Sequence, residues 1–140
     1  MSFILQTDGG SRGNPGPSAA GWVISKMNGT NKESEILKDG SKFLGIQTNN
    51  FAEYTAIIEG LKDAIELKID VLDVLMDSEL AVKQINKIYK IKNSQIKIFY
   101  DEISKLKKDF KTVTFSHVYR EKNKHADRLV NECLDKETRN

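Results

Sequence analysis

The spacing of apolar residues changes several times along this chain, and each change marks an element. Residues 3–7 are apolar and β-prone, whereas residues 8–17 hold four glycines and both prolines among small polar side chains. Such turn chemistry predicts a first strand that stops at Asp8. Residues 19–26, with Gly21, Trp22, Val23 and Ile24, read as a second strand, and residues 35–44 as a third, broken near Gly40. The short connections fit an antiparallel meander. Thr48 or Asn49 then caps a helix in which Ala56, Ile57, Gly60, Leu61, Ala64 and Ile65 recur at helical spacing. Glu53 falls on that same stripe, one turn earlier.

The run Val-Leu-Asp-Val-Leu-Met at 71–76 is short and apolar, as a central strand flanked by helices requires, and it ends in Asp77. Ser78 is placed to cap a helix over residues 80–88. A further helix from about residue 94 carries Ile96, Phe99, Ile103, Leu106 and Phe110 on one face. Residues 112–118 alternate as a half-buried strand, and a last helix from Asn123 aligns Ala126, Leu129, Val130, Cys133 and Leu134. The order βββαβααβα describes one α/β domain over residues 1–140, its meander extending a sheet whose later strands cross over through helices.

Composition removes several classes of protein. With 39% hydrophobic and 30% charged residues, the chain is neither low in complexity nor too polar to fold. A net charge of +2 neither demands nor forbids a polyanionic partner, since local patches decide that. Cys133 is the only cysteine, which excludes a disulfide within the chain and cysteine-based zinc sites, and it reads as a small residue on a helix face. No basic, apolar leader pattern and no membrane-length run is visible. A cytoplasmic protein with no membrane partner is the expectation.

Four acids stand out against this framework. Asp8 and Asp77 follow apolar strands at their carboxyl ends, where the crevice of an open α/β sheet lies. Glu53 and Asp127 are expected in first helical turns on inward faces. Singly, each has a plain structural account, as a turn cap or as an acid complementing a helix dipole. Together they are a cluster that a core tolerates only around a cation, and carboxylate oxygens suit Mg²⁺ or Mn²⁺.

The segments around these acids are TDGGSRGNPGP, TNNFAEY, MDSE and REKNKHADRLVNECL. With them the chain resembles the type 1 ribonuclease H family over nearly its whole length. The resemblance implies the ribonuclease H-like fold, a five-stranded mixed sheet flanked by helices. It also implies hydrolysis of the RNA strand of RNA–DNA hybrids, leaving 5′-phosphate and 3′-hydroxyl ends. Two Mg²⁺ ions, or Mn²⁺ in their place, would be held by Asp8, Glu53, Asp77 and Asp127, with Asp8 bridging them.

Nucleic-acid contacts are expected from Gly9, Gly10, Ser11, Arg12 and Asn14 in the first motif and from Asn49 and Asn50 in the second. Glycines there let backbone approach a phosphate, and short amides reach 2′-hydroxyls in a minor groove. Taken alone, such asparagines are ordinary turn formers.

Two departures from the family pattern carry expectations of their own. The long tryptophan-rich basic protrusion of many members is replaced by residues 80–100, which hold five lysines and no acid. Lys87, Lys90 and Lys92 are either a solvated face or a shortened hold on the DNA strand, and weaker binding than in longer relatives follows. No separate hybrid-binding domain is visible ahead of the catalytic one.

The family's mobile histidine is the second departure. Counted without gaps His117 takes its place, but the strand pattern claims His117 and points to Arg120 or Glu121 instead. Arg120 would neutralise a phosphate without shuttling a proton. His125 reads as a surface residue at the start of the last helix. Activity on double-stranded RNA and a non-catalytic hybrid-binding module are the alternatives, and a monomer is expected.

Overall fold

The computed structural model describes residues 2–28 and 33–138. Its elements are β1 (Ser2–Ser11), β2 (Gly16–Asn28), β3 (Glu33–Gln47), α1 (Asn49–Glu66), β4 (Val71–Met76), α2 (Glu79–Ile85), α3 (Ser94–Lys107), β5 (Thr112–His117), a 3₁₀ turn (Arg120–Lys122) and α4 (Lys124–Glu137). The expected order βββαβααβα is observed. The five strands form one mixed sheet in the order β3-β2-β1-β4-β5, antiparallel through β1 and parallel from β1 to β5.

Period-two alternation splits β1 and β2 between two helical layers. Leu5 and Trp22 join the large core beneath α1, whereas Ala19 packs with Val130 and Leu134 of α4. Helix α3 lies against α1. Leu5, Ile57, Leu61, Leu72, Val74 and Ile103 are fully or almost fully buried. Each such side chain contributes roughly 1.5–3 kcal/mol relative to exposure. Two polar contacts, one buried and one partly buried, fix how the layers register. The Tyr54 hydroxyl donates to Gln84 Oε1 at 2.9 Å between α1 and α2, and Trp22 Nε1 donates to Asp63 Oδ2 at 2.7 Å between β2 and α1. No helix among the described residues is long and apolar enough to cross a membrane.

Beyond the two to three extra residues at the ends of β2 and β3, three features differ from the sequence reading. Strand β1 does not stop at Asp8 but runs to Ser11, because Gly9, Gly10 and Ser11 keep pairing with Ala20, Ala19 and Ser18. Strand β3 is not broken at Gly40; the glycine is there because the Trp22 ring lies on it, and a Cβ would stand 2.5 Å from Trp22 Cζ2. The register irregularities of β3 fall instead opposite Ser18/Ala19 and Ile24/Ser25. Helix α2 ends at Ile85, since Lys87 adopts a left-handed backbone with φ 64° that no helix continues.

Candidate active site

The pairing of β1 with β4 ends at Thr7 and Met76, and β4 with β5 ends at Met76 and His117. Asp8 and Asp77 are the next residues of neighbouring parallel strands, so they emerge side by side where that ladder stops. Helix α1 brings the third acid. A Cβ at Gly9 would stand 2.3 Å from the backbone nitrogen of Glu53 and 2.3 Å from the carbonyl carbon of Ala52, so only glycine lets α1 cross this close to β1. Thr48 caps α1, which puts Glu53 beyond its first turn, where the helix dipole does not explain a carboxylate. Asp127 sits in the first turn of α4, as expected.

The four acids line one open cavity of about 660 Å³ together with Gly9, Gly10, Ser11, Arg12, Asn49, His117, Tyr119, Arg120, Val130, Asn131 and Leu134. Among the described residues, no group of three or more acids, histidines or cysteines is arranged to hold a metal ion as it stands. The crowding of the carboxylates is visible in their protonation. Asp8 is only 8% exposed, and burial, followed by the charges of Asp77 and Asp127, pushes its carboxyl from 3.8 up to about 8. Burial likewise raises Glu53 from 4.5 to about 7, opposed by a hydrogen bond to Ser78 and reinforced by Asp77. Uncompensated oxygen donors of this kind fit a hard divalent cation, whose charge would reverse the repulsion.

The first loop is held from two sides. Ser11 N donates to Asn49 Oδ1 at 2.7 Å, and Asn49 N donates to Asn14 Oδ1 at 3.1 Å. Asn14 therefore ties the β1–β2 turn to the start of α1 and does not line the cavity, and neither does Asn50. Arg12 is at the rim but already engaged, 2.6 Å from Asp135 and 3.4 Å from the carbonyl of Asn131.

Arg120 lines the cavity as the sequence suggested. His117 reaches it too, as the last residue of β5, with its ring edge-on to Tyr119 at 5.5 Å between centroids. His125 does not; its Nε2 lies 3.2 Å from Asp39 Oδ2 on β3. Lys87 and Lys90 line a separate groove of about 300 Å³ with Gln84, Tyr89, Ile91, Lys97 and Tyr100, and Lys92 lies outside both. Tyr119 and Asn131 were missed by sequence reading. Tyr119, 71% exposed, carried a usable signal as an aromatic two residues past the strand, but Asn131 carried none.

Residues 6–133 match a family described as reverse transcriptase-like. A solved RNase H1, LC11-RNase H1 in complex with an RNA/DNA hybrid, is 40% identical with a TM-score of 0.88, covering 97% of this chain and 99% of that one. This chain belongs to the type 1 ribonuclease H family. Family membership carries a general dependence on divalent metal. Ribonuclease HI of Halobacterium salinarum is 36% identical over 128 residues, 91% of this chain and 62% of that protein. A bifunctional protein of Mycobacterium tuberculosis is 38% identical over 135 residues, 96% of this chain. The chain spans only 36% of the length of that relative. Within the ribonuclease H fold, the glycine motif thus has a packing task at Gly9 as well as a place on the cavity wall.

Proposed function

We propose that this chain is an endoribonuclease that hydrolyses the RNA strand of RNA–DNA hybrids, leaving 5′-phosphate and 3′-hydroxyl ends. The observation that carries the reading is the convergence of Asp8, Glu53, Asp77 and Asp127 on one cavity, in a member of the type 1 ribonuclease H family. A purely binding module gains nothing from carboxylates facing phosphates. The four acids would hold Mg²⁺, two ions per site, or Mn²⁺ as a substitute. Bound there, the ions would supply Lewis acidity, activating water and stabilising the leaving oxygen.

The chain's own groups do the rest. Asn49 and the β1–β2 loop face the minor groove side of the hybrid, and Arg120 meets the scissile or a neighbouring phosphate as a fixed positive charge. The basic groove holds the DNA strand. Lys83 and Lys97 are paired with Glu79 and Asp101, whereas Lys87, Lys90 and Lys92 have no ion pair among the described residues and are free for phosphates. Tyr89 and Tyr100 beside them offer faces for sugars or bases. The protein acts as one catalytic domain, as a monomer, in the reducing cytoplasm that its single cysteine suits.

The test is to incubate the protein with Mg²⁺ or Mn²⁺ and end-labelled RNA–DNA hybrid, double-stranded RNA and double-stranded DNA. Cleavage of hybrid RNA to 3′-hydroxyl products is expected. No cleavage of hybrid with either metal would refute the activity, and equal cleavage of double-stranded RNA would widen the substrate class.

A further inference from the structure

The turn that presents Arg120 is fastened to neighbouring strands of the sheet at its two ends, to β4 at its entry and to β1 at its exit. Its entry is fixed where Val118 N donates to the carbonyl of Met76 at 2.9 Å. Within the turn, Lys122 N donates to the carbonyl of Tyr119 and Asn123 N to that of Arg120, both at 2.9 Å. Its exit is held by Asn123, fully buried, whose Nδ2 donates to the carbonyl of Thr7 at 2.8 Å. The remaining bond comes from Gln6. Its Nε2 donates to the carbonyl of Lys122 at 2.8 Å, across 116 residues of sequence.

Gln6 precedes Asp8 by two residues on β1, so their side chains leave the same face about 7 Å apart. The same strand therefore carries the most buried of the four acids and the bond that seats the turn bearing Arg120. A turn of three residues has few internal bonds with which to hold its own shape. Where it sits is set from outside, and Gln6 is the side chain that reaches it from the catalytic face of the sheet.

We infer that Gln6 is a positioning residue for Arg120. It locks the turn at Arg120–Lys122 to β1, so that the backbone from which the Arg120 side chain extends stands at a fixed place relative to Asp8. The inference rests on the hybrid-cleaving activity proposed above and adds to it a preorganised phosphate-binding arm. Nothing in the sequence marks Gln6 for this task, since it lies in an apolar strand and carries no charge.

The test replaces Gln6 by methionine, which keeps length and loses the donor, in wild-type and Arg120→Ala backgrounds. Single-turnover cleavage of hybrid and amide hydrogen exchange are followed in all four proteins. In the wild-type background, Gln6→Met is expected to lower the cleavage rate about two- to tenfold, the range that one partly exposed hydrogen bond corresponds to, with the Michaelis constant changed less. In the Arg120→Ala background the same change is expected to cost nothing further, because the group it positions is gone. Exchange of the Lys122 and Asn123 amides is expected to quicken in Gln6→Met while the amides of α1 keep their protection. An equal loss of rate in both backgrounds, an unchanged rate with Arg120 present, or unchanged exchange in the turn overturns the inference. A wild-type protein that cleaves no hybrid instead removes the activity on which it stands, a result the exchange measurement does not mimic.

Discussion

Replacing Asp8 by asparagine is expected to stabilise the metal-free protein, increasingly so as pH rises. Burial, then Asp77 and Asp127, raise the Asp8 carboxyl from 3.8 to about 8. Between those values the folded protein keeps a proton that the unfolded chain has released. The unfolded state then binds fewer protons, so the stability of the fold declines as pH climbs through this window and is lowest above it. Glu53, raised from 4.5 to about 7, adds a second decline of the same sign over a narrower span. At 1.36 kcal/mol per pKa unit, the rise at Asp8 corresponds to several kcal/mol, shared with the neighbouring acids Asp77 and Asp127. Asparagine keeps the shape and removes the charge, but it leaves a buried amide with hydrogen bonds to find. A net gain of about 2–4 kcal/mol is therefore expected above pH 8.

Thermal unfolding in a chelator, followed by circular dichroism from about pH 5 to about pH 9, measures this directly. The variant should melt about 5–15 °C above the wild type at the alkaline end and close to it at the acid end. Saturating Mg²⁺ should close most of this gap, because a ligand at about a hundred times its dissociation constant adds about 2.7 kcal/mol to a protein that binds it. The variant, lacking one of the four donors, should gain far less. An Asp8→Asn protein no more stable than wild type in chelator at the alkaline end would refute the crowding argument. So would a wild-type stability that stays flat across the window.

Other outcomes follow from single contacts. Arg120→Ala should lower the single-turnover rate by about ten- to a thousandfold, while His117→Ala and His125→Ala change it far less; the reverse ranking in the same assay would restore the histidine model. Neutralising Lys87, Lys90 and Lys92 together should flatten the salt dependence of hybrid binding by about two to three in log–log slope, read from fluorescence anisotropy titrations. Gly9→Ala should cost about 1–3 kcal/mol or more in urea unfolding, because its methyl group meets α1 backbone at 2.3 Å, and cleavage should fall with it. Asp135→Ala should leave stability within about 1 kcal/mol, since its pair with Arg12 is exposed, yet lower the Michaelis constant by freeing Arg12 for a phosphate.

Much of the fold was legible because apolar spacing changes at nearly every boundary. The caps at Thr48 and Ser78 were legible too, because a hydroxyl before a helical stripe has one obvious use. What was misread were places where glycine serves packing rather than turning. Gly40 looked like a strand break because its partner, the Trp22 ring, is nowhere near it in sequence. The glycines after Asp8 looked like a turn because nothing local shows that Ala19 and Ala20 return to pair with them. Likewise Lys87 ends α2 through its backbone, and lysine gives no local sign of a left-handed conformation.

The cavity residues divide along the same line. Asp8, Asp77 and Asp127 were readable because each ends or begins an element, and Glu53 because it continues the inward stripe of α1, which topology brings to the same edge of the sheet. Asn14 and Asn50 were read as ligand contacts from their places in motifs. Asn14 lies outside the cavity lining and uses its amide oxygen to accept from Asn49 N at 3.1 Å. Hydrogen bonds across long sequence distances are what the sequence hides, and here they decide which polar side chains remain available. Arg12 and Arg120 show the consequence. Both line the cavity, but Arg12 is held by a carboxylate 2.6 Å away, whereas Arg120 has no ion pair among the described residues and sits on a turn fixed from below. Of two arginines with equal charge, the unpaired one on the fixed turn is the better placed to meet a phosphate, because neither an existing partner nor the ordering of a loop must first be overcome.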